Sequence, residues 1–193
     1  MLQILIPSKG RPESLKRCVE SIDIGCYIYI TVTSHDDILS STTTDIDYLE
    51  LMPNSSVIEC QNRMARNMHG HKLPIADDVE FDKGSIRKAL NILEDGVVGF
   101  NVTNMQSTDT SFMLISEEYY NKYGLFYEEY KHFFADTEYG EQAKKRGKFK
   151  FCKEATMKHY HPSSGAKIDN THKYARRNGI WQHDYNLYKE RNQ

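Results

Sequence analysis

The sequence contains no apolar run long enough to cross a membrane, although 39% of its 193 residues are hydrophobic. Its first residues show neither the basic segment nor the cleavage site of a signal peptide, so we expect them to form a strand. The four cysteines lack metal-ligand spacing, which predicts reduced thiols in a cytoplasmic protein. Neither a repeat nor a low-complexity segment divides the chain, and its length predicts one domain with a substantial core.

Positive charge is scarce in most of the chain and concentrated in its last quarter. Residues 142–193 contain 13 Lys and Arg against 4 Asp and Glu, whereas residues 1–141 contain 12 against 23. The net charge of −2 hides this asymmetry. A basic C-terminal quarter indicates contact with phosphate or another polyanion. A solvated basic face explains the same count, so both interpretations stay open.

An apolar stretch ends in two adjacent carboxylates, Asp77 and Asp78. The stretch Leu73–Phe81 predicts a buried strand that delivers this pair to its carboxyl end, where open α/β sheets bind ligands. Adjacent carboxylates repel each other unless a cation or a shared proton compensates them. A hard divalent cation that also holds substrate phosphates is the natural partner. A solvated Asp-Asp turn is the alternative that needs no ligand.

The chain begins with the pattern of a strand, a cationic loop and a helix. Leu2–Ile6 is an apolar run that Pro7 ends, and Glu13–Ile22 has its apolar residues on one helical face. The loop between them contains Lys9 and Arg11. Such a loop lies at the carboxyl end of its strand, and the start of a helix favours phosphate. The pattern therefore predicts a phosphate site, although no Gly-rich motif supports it.

Further periodic segments predict an alternation of strands and helices. Strands are predicted at Tyr27–Thr33, Val97–Val102 and Ser111–Ser116, and as a pair at Lys148–Cys152 and Ala155–His161. Helices are predicted from a Ser56–Glu59 capping box to Met68, and at Asp82–Leu93 and Glu117–Tyr123. Asp136 stands at or near the start of another helix, where its alternative role is that of an N-cap. The segment Asp169–Gln193 is expected to lay one or two helices over the core.

The order of the polar motifs is specific. An Ile-Leu-Ile-Pro strand opens the chain, and Ala65-Arg66-Asn67 precedes the Asp77-Asp78 strand. Later motifs are Tyr123-Gly124-Leu-Phe126, Ala135-Asp136-Thr-Glu138, Arg146-Gly147 and Lys158-His159-Tyr-His161. In this order the sequence resembles family-2-like glycosyltransferases of the GT-A fold, in particular compact members from bacteria and bacteriophages. The resemblance covers roughly residues 1–165. It implies an α/β domain with a Rossmann-like, mostly parallel central sheet flanked by helices, followed by a basic helical extension over residues 166–193.

The resemblance also implies a chemistry. The family uses a nucleotide-sugar donor, often a uridine diphosphate sugar, with Mn²⁺ or Mg²⁺ and an inverting displacement at the anomeric carbon. Asp136 matches the acidic residue that serves as general base. The donor-binding candidates are Pro7, Ser8, Lys9, Arg11, Asp36, Asp37, Arg63, Arg66, Asn67 and Asp77. The metal-binding candidates are Asp78, Asp77, His159 and His161.

The acceptor is predicted less directly. Its candidate residues are Glu138, Trp181, Arg176 and Arg177. Glu138 continues the motif of Asp136, and the other three lie in the basic quarter. The basic quarter suggests a polyanionic acceptor, and hydroxymethylated bases in DNA are the leading specific hypothesis. A base would have to be flipped out or single-stranded, with Trp181 as a stacking surface. A glycan or cell-wall acceptor fits the same transfer chemistry.

One departure from the family pattern affects the metal. Ala76 stands where the family has the first Asp of its Asp-x-Asp motif, so a cation would rest mainly on Asp78. Two other functions stay open. A nucleotidyltransferase would use the same residues but would consume a nucleoside triphosphate and release pyrophosphate. A non-catalytic module on a GT-A-like fold would bind nucleic acid through the basic tail. The sugar and the oligomeric state do not follow from the sequence.

Overall fold

The computed structural model describes residues 1–33, 46–106, 109–168, 173 and 179–192, which form eight strands and six α-helices. The strands are β1 (Leu2–Ser8), β2 (Tyr27–Val32), β3 (Tyr48–Leu51), β4 (His71–Pro74), β5 (Val79–Phe81), β6 (Val97–Val102), β7 (Met113–Ile115) and β8 (Phe149–His159). The helices are α1 (Pro12–Glu20), α2 (Val57–Arg66), α3 (Ser85–Ile92), α4 (Glu117–Tyr123), α5 (Ala135–Lys145) and α6 (Ile180–Arg191). No helix within these ranges is both long and apolar enough to span a bilayer.

The strands form one sheet in the order β3-β2-β1-β4-β7-β6-β8-β5. Parallel pairs join β1 to β2 and β4, β2 to β3, and β6 to β8. β7 pairs antiparallel with β4 and β6, and β5 pairs antiparallel with β8. All strands except β5 and β7 therefore run in one direction, and their carboxyl ends lie at the same edge. The predicted fold class, an α/β protein with a mostly parallel sheet, is confirmed.

Both faces of the sheet are covered because its central strands are apolar on both sides. Along β1, Ile4 and Ile6 pack with Leu15 of α1, whereas Leu5 packs on the opposite face with Met64 of α2. Successive residues of a strand point to opposite faces, so an unbroken apolar run predicts a strand that is buried on both. All three β1 side chains are fully buried, and burial of each contributes roughly 1.5–3 kcal/mol.

The stretch that the sequence predicts as one strand, Leu73–Phe81, forms two. β4 ends at Pro74 in the interior of the sheet, and β5 begins at Val79 beside β8, at the end of the strand order. The chain crosses the carboxyl edge between these two positions. Asp77 and Asp78 lie on that crossing, so the pair stands at the expected edge but between two strands.

The predicted strand pair Lys148–Cys152 and Ala155–His161 is wrong, because the structure has one continuous strand, β8, in this region. It runs beside β6, where Cys152 pairs with Phe100 and Thr156 pairs with Asn101. This register shift inserts extra residues into β8 and interrupts the alternation of its side chains. The interruption therefore marks a bulge and not a turn, and β8 reaches the carboxyl edge at His159.

Candidate active site

A cavity of about 680 Å³ opens at the carboxyl edge of the sheet. Its walls come from the loop after β1, the first turns of α2, the β4–β5 crossing, the start of α5 and the end of β8. The polar side chains that line it include Arg11, Gln61, Asp78, Asp136 and His159. Small-molecule sites commonly measure about 300–1,000 Å³, so this cavity has the size of a ligand site.

Asp77 is fully buried and is held by the end of β1 and the loop that follows it. Ser8 Oγ donates a hydrogen bond to Asp77 Oδ2 at 2.7 Å, and Arg11 Nε donates to the same oxygen at 3.2 Å. The Arg11 guanidinium also contacts Asp77 Oδ1 and donates to Asp78 Oδ2 at 2.8 Å. Burial raises the pKa of Asp77, and the charge of Arg11 opposes that rise. Arg11 therefore compensates both carboxylates of the adjacent pair.

The antiparallel pairing of β5 with β8 brings His159 to Asp78. Val79 pairs with His159, and the Tyr160 N–H donates a hydrogen bond to the Asp78 carbonyl at 2.8 Å. His159 Nε2 consequently lies 3.1 Å from Asp78 Oδ1. The ring of Phe112 packs perpendicular to the imidazole, with the ring centroids 5.0 Å apart. Pairing between residues distant in sequence thus creates a carboxylate–imidazole pair at the cavity.

A divalent cation fits Asp78 and His159 but not Asp77. Asp78 Oδ1 and His159 Nε2 lie 3.1 Å apart and both side chains line the cavity, so a carboxylate oxygen and an imidazole nitrogen are available together as ligands. Both oxygens of Asp77 already contact the end of β1 and its loop. Nowhere in the described ranges do three or more His, Cys, Asp or Glu residues converge as a metal site. A cation here would therefore need water molecules or substrate phosphates as further ligands.

His161 lines the same cavity beyond His159. Its ring centroid lies 5.3 Å from that of His159, and its Nδ1 lies 2.7 Å from Ser163 Oγ. The Nδ1 atom also accepts a hydrogen bond from the Ser163 backbone N–H at 3.3 Å. The imidazole therefore caps the 3₁₀ turn Pro162–Ser164, and its role as a metal ligand stays a prediction.

Asp136 lies in the first turn of α5 and faces the same cavity. The helix N-cap is Phe134, so Asp136 is not the N-cap that the sequence offered as its alternative role. The Thr137 N–H donates a hydrogen bond to Asp136 Oδ1 at 2.8 Å. Burial raises the pKa of Asp136 to about 6, and the hydrogen bonds from Thr137 limit the rise. A carboxylate with such a pKa is suited to accept a proton near neutral pH.

The donor-binding candidates on α2 lie away from the cavity. α2 begins at the cavity wall with Val57, Ile58 and Gln61, and its ten residues span about 15 Å. Arg63, Arg66 and Asn67 fall at its far end, where they contact Glu50, Glu128 and Tyr29, respectively. These three residues therefore do not line the cavity at the carboxyl edge, and their role in donor binding stays a prediction.

Glu138 is also separated from the cavity. Its buried carboxylate accepts hydrogen bonds from Tyr130 Oη and Gln142 Nε2, both at 2.6 Å. The guanidinium of Arg191, at the end of α6, lies 2.9–3.1 Å from the same carboxylate. Glu138 therefore anchors α6, and its contact with an acceptor stays a prediction.

Of the remaining candidates, three lie among the described residues and four lie outside them. Trp181 on α6 lines the cavity, is 45% exposed and stacks on Tyr185 with ring centroids 4.9 Å apart. Pro7 lies in β1, and Lys9 is exposed on the following loop. The candidates outside the described residues are Asp36, Asp37, Arg176 and Arg177.

Sequence reasoning missed three polar residues that shape the site. Gln61 lines the cavity from α2, and the next residue, Asn62, bonds the backbone N–H and carbonyl of Phe126 at 3.0 and 2.8 Å. Asp184 on α6 holds the loop that precedes α5. A polar residue on the apolar face of a helix is the available signal for Asn62. Asp184 has no comparable local signal because its partners are backbone N–H groups more than fifty residues away.

No protein-family model and no curated protein matches this sequence. Solved structures do match its fold. The crystal structure of S. aureus TarS 1–349 has a TM-score of 0.68 at 9% identity, over 98% of this chain and 73% of that chain. The chain has a GT-A-like glycosyltransferase fold.

Two further TarS structures give the same result. A longer TarS crystal structure has a TM-score of 0.64 at 8% identity, over 95% of this chain and 43% of that chain. The complex of TarS 1–349 with UDP-GlcNAc has a TM-score of 0.64 at 12% identity, over 91% of this chain and 63% of that chain. This chain therefore spans less than two thirds of the length of each of these two TarS chains. At such low identity, the likeness is one of fold alone.

Proposed function

We propose that the protein is a glycosyltransferase that moves a sugar from a nucleoside diphosphate sugar to an acceptor hydroxyl with inversion. The observation that carries the proposal is the convergence of Asp78, His159 and Asp136 on one cavity at the carboxyl edge of a GT-A-like sheet. The likeness to TarS in complex with UDP-GlcNAc supports a uridine diphosphate sugar as the first donor to test. The finer assignment to a family-2-like enzyme of the bacterial or bacteriophage type belongs to the same proposal.

The donor diphosphate would lie against the sheet edge. The Arg11 guanidinium lines the cavity and is held in place by Asp77 and Asp78, so we assign it to orient the phosphates by hydrogen bonding, while a bound cation supplies the net positive charge. Asp78 and His159 would hold Mn²⁺ or Mg²⁺. When bound, such an ion stabilises the negative charge that develops on the departing nucleoside diphosphate.

Asp136 would act on the acceptor. In an inverting reaction the acceptor hydroxyl attacks the anomeric carbon from the face opposite the leaving nucleoside diphosphate, and it must lose its proton. The Asp136 carboxylate accepts that proton. Burial raises its pKa to about 6, so at pH 7 most of the population is ionised, yet the group is a stronger base than an ordinary Asp.

The acceptor itself is either a glycan or a hydroxymethylated base in DNA. The DNA hypothesis rests on the basic quarter of the chain, and the structure reduces the charge available there. Lys144, Lys148 and Lys150 form ion pairs with Asp109, Asp95 and Glu94, respectively. These pairs favour a glycan, whose hydroxyl-rich rings can stack on Trp181 without a phosphate backbone to neutralise.

The test is a screen of nucleotide sugars for release of the nucleoside diphosphate, with Mn²⁺ and with a chelator. Activity that is lost in Asp136→Asn supports the proposal. Consumption of nucleoside triphosphates with release of pyrophosphate would instead identify a nucleotidyltransferase. Binding of DNA without turnover of any nucleotide would identify a non-catalytic module.

A further inference from the structure

A buried carboxylate on α6 holds the backbone that leads into the candidate base. Asp184 is fully buried. Its Oδ1 accepts a hydrogen bond from the Lys131 N–H at 3.0 Å, and its Oδ2 accepts from the N–H groups of His132 and Phe133 at 2.8 and 2.7 Å. Residues 131–133 belong to no helix or strand, so these bonds satisfy donors that a ladder would otherwise pair. Hydrogen bonds to a charged acceptor are about twice as strong as neutral ones.

The next residue has a backbone conformation that needs such support. Phe134 has φ 63° and ψ −8°, a left-handed conformation that residues other than glycine rarely adopt. Its ring stacks on Tyr188 of α6, with centroids 5.4 Å apart, and also contacts Trp181 and Tyr185 of the same helix. Asp136 follows two residues later in the first turn of α5. The position of Asp136 therefore depends on contacts that α6 makes with the three residues before Phe134 and with Phe134 itself.

We infer that Asp184 is a positioning residue for the transfer reaction, which acts by fixing the loop 131–134 and thereby the Asp136 carboxylate. The inference rests on the proposed function in one respect, namely that Asp136 is the base. His132, Phe133 and Phe134 line the cavity, whereas Asp184 lies behind them without lining it. Asp184 consequently contributes to the geometry of the site and not to contact with a substrate.

A purely stabilising role of α6 predicts a different pattern of losses. α6 has a second anchor near its other end, where Arg191 binds Glu138 and Tyr188 Oη donates to Glu141 at 2.8 Å. If α6 only stabilises the fold, weakening either anchor should reduce activity in proportion to the loss of stability. If Asp184 positions the base, its variant should lose catalysis beyond that proportion.

The experiment compares Asp184→Asn with two controls on the same helix. Asparagine keeps the size of the side chain, but its single acceptor oxygen cannot serve all three N–H groups, and its NH₂ meets a donor. Arg191→Gln weakens the other anchor, and Asn186→Ala changes an exposed residue. Asp184→Glu keeps the charge and displaces it, and it replaces Asp184→Asn if that variant does not fold. The measurements are the melting temperature, amide hydrogen exchange over residues 129–138, and kcat and KM for the donor.

We expect Asp184→Asn to accelerate exchange over residues 131–133 and to lower kcat on the order of 10²-fold, the effect of a displacement of about 1 Å. The KM for the donor should not change, because Arg11 and Asp78 lie on other elements. Arg191→Gln should lower the melting temperature with little loss of kcat. If the two variants lower the melting temperature equally and Asp184→Asn loses no more kcat than Arg191→Gln, the inference is overturned. Unchanged hydrogen exchange over residues 131–133 in Asp184→Asn would also overturn it. Hydrogen exchange can be measured on an inactive protein. If the wild type turns over no donor, the proposed function fails, and exchange over residues 131–133 still shows whether Asp184 fixes the loop.

Discussion

Two acidic regions line the same cavity, and they differ in how their charge is compensated. At the sheet edge, Asp77 and Asp78 are held by Ser8, Arg11 and His159. At the start of α5, the Asp136 carboxylate is hydrogen-bonded by Thr137, the next residue in the chain, and burial raises its pKa to about 6. Burial also raises the pKa of Asp77, so the two regions differ in their partners. The Arg11 guanidinium faces both carboxylates at the sheet edge, whereas Asp136 is held by hydrogen bonds from Thr137. A glycosyl transfer needs a site for the nucleoside diphosphate, which leaves the donor as an anion, and a carboxylate that accepts the proton of the acceptor hydroxyl.

The largest expected effect comes from the second region. Asp136→Asn should reduce transfer about 10²–10⁴-fold, because the amide cannot accept the acceptor proton. Donor affinity, measured by calorimetry, should stay the same since the change keeps the shape of the side chain. Asp109→Asn, which alters an exposed ion pair with Lys144, is the matched control. Wild-type turnover by Asp136→Asn would mean that another group is the base.

The first region should respond in stability. Asp77→Ala leaves the buried donors of Ser8 and Arg11 without the carboxylate that they bind, so we expect a loss of about 3 kcal/mol in the free energy of unfolding. Chemical denaturation measures this quantity. Asp95→Asn removes a carboxylate from an exposed pair with Lys148 and should cost at most about 1 kcal/mol. Equal losses in the two variants would show that Arg11 does not depend on Asp77.

A smaller effect should appear when the pH dependence of stability is compared between the wild type and Asp136→Asn. The pKa of Asp136 is raised from 3.8 to about 6 in the folded protein, so the folded state holds this proton more tightly than the unfolded state. Stability attributable to Asp136 therefore falls as the pH rises from about 4 to about 6. Asp136→Asn should consequently be more stable than the wild type by about 1 kcal/mol at pH 7.

Denaturation of both proteins between pH 4 and pH 8 tests this expectation. The stability difference should shrink toward zero as the pH falls to about 4, the ordinary range of an Asp carboxyl. Transfer by the wild type should rise with pH through about 6, where the base ionises. A stability difference that does not change with pH would remove the basis for a perturbed Asp136.

The smallest effect is expected on α2, outside both regions. Arg66 forms an exposed pair with Glu128 at 2.6 Å, and such pairs contribute roughly 0–1 kcal/mol. Arg66→Ala should therefore leave both stability and donor affinity close to the wild-type values. A loss of donor affinity comparable to that of Arg11→Ala would show that Arg66 binds the donor.

Local patterns in the sequence predicted much of this arrangement. The capping box at Ser56 and Glu59 forms with both hydrogen bonds at 3.1 Å, and the apolar run in β1 is buried on both faces. The Asp77-Asp78 pair stands at the carboxyl edge, and Asp136 stands in the first turn of a helix. Each of these features depends on residues within a few positions of one another, which is why periodicity and spacing reveal them.

Long-range pairing accounts for what the sequence did not predict. The β5–β8 register joins residues about eighty positions apart and alone places His159 beside Asp78. The direction of α2 relative to the cavity decides that Gln61 lines the site and that Arg66 does not. Asp184 acts on backbone groups whose positions no side-chain pattern encodes. Those features follow from how the elements pack and not from any one of them.

The central claim is that one cavity binds a nucleotide sugar at Asp78 and His159 and transfers the sugar with the help of Asp136. Its most direct test is a calorimetric titration of the uridine diphosphate sugar found in the screen, into the wild type and Asp78→Asn, each with Mn²⁺ and with a chelator. The wild type should bind the sugar nucleotide at least about tenfold more tightly with Mn²⁺ than with the chelator, and Asp78→Asn should lose that difference. Equal affinity in all four titrations, or no binding of any nucleotide sugar to the wild type, would contradict it.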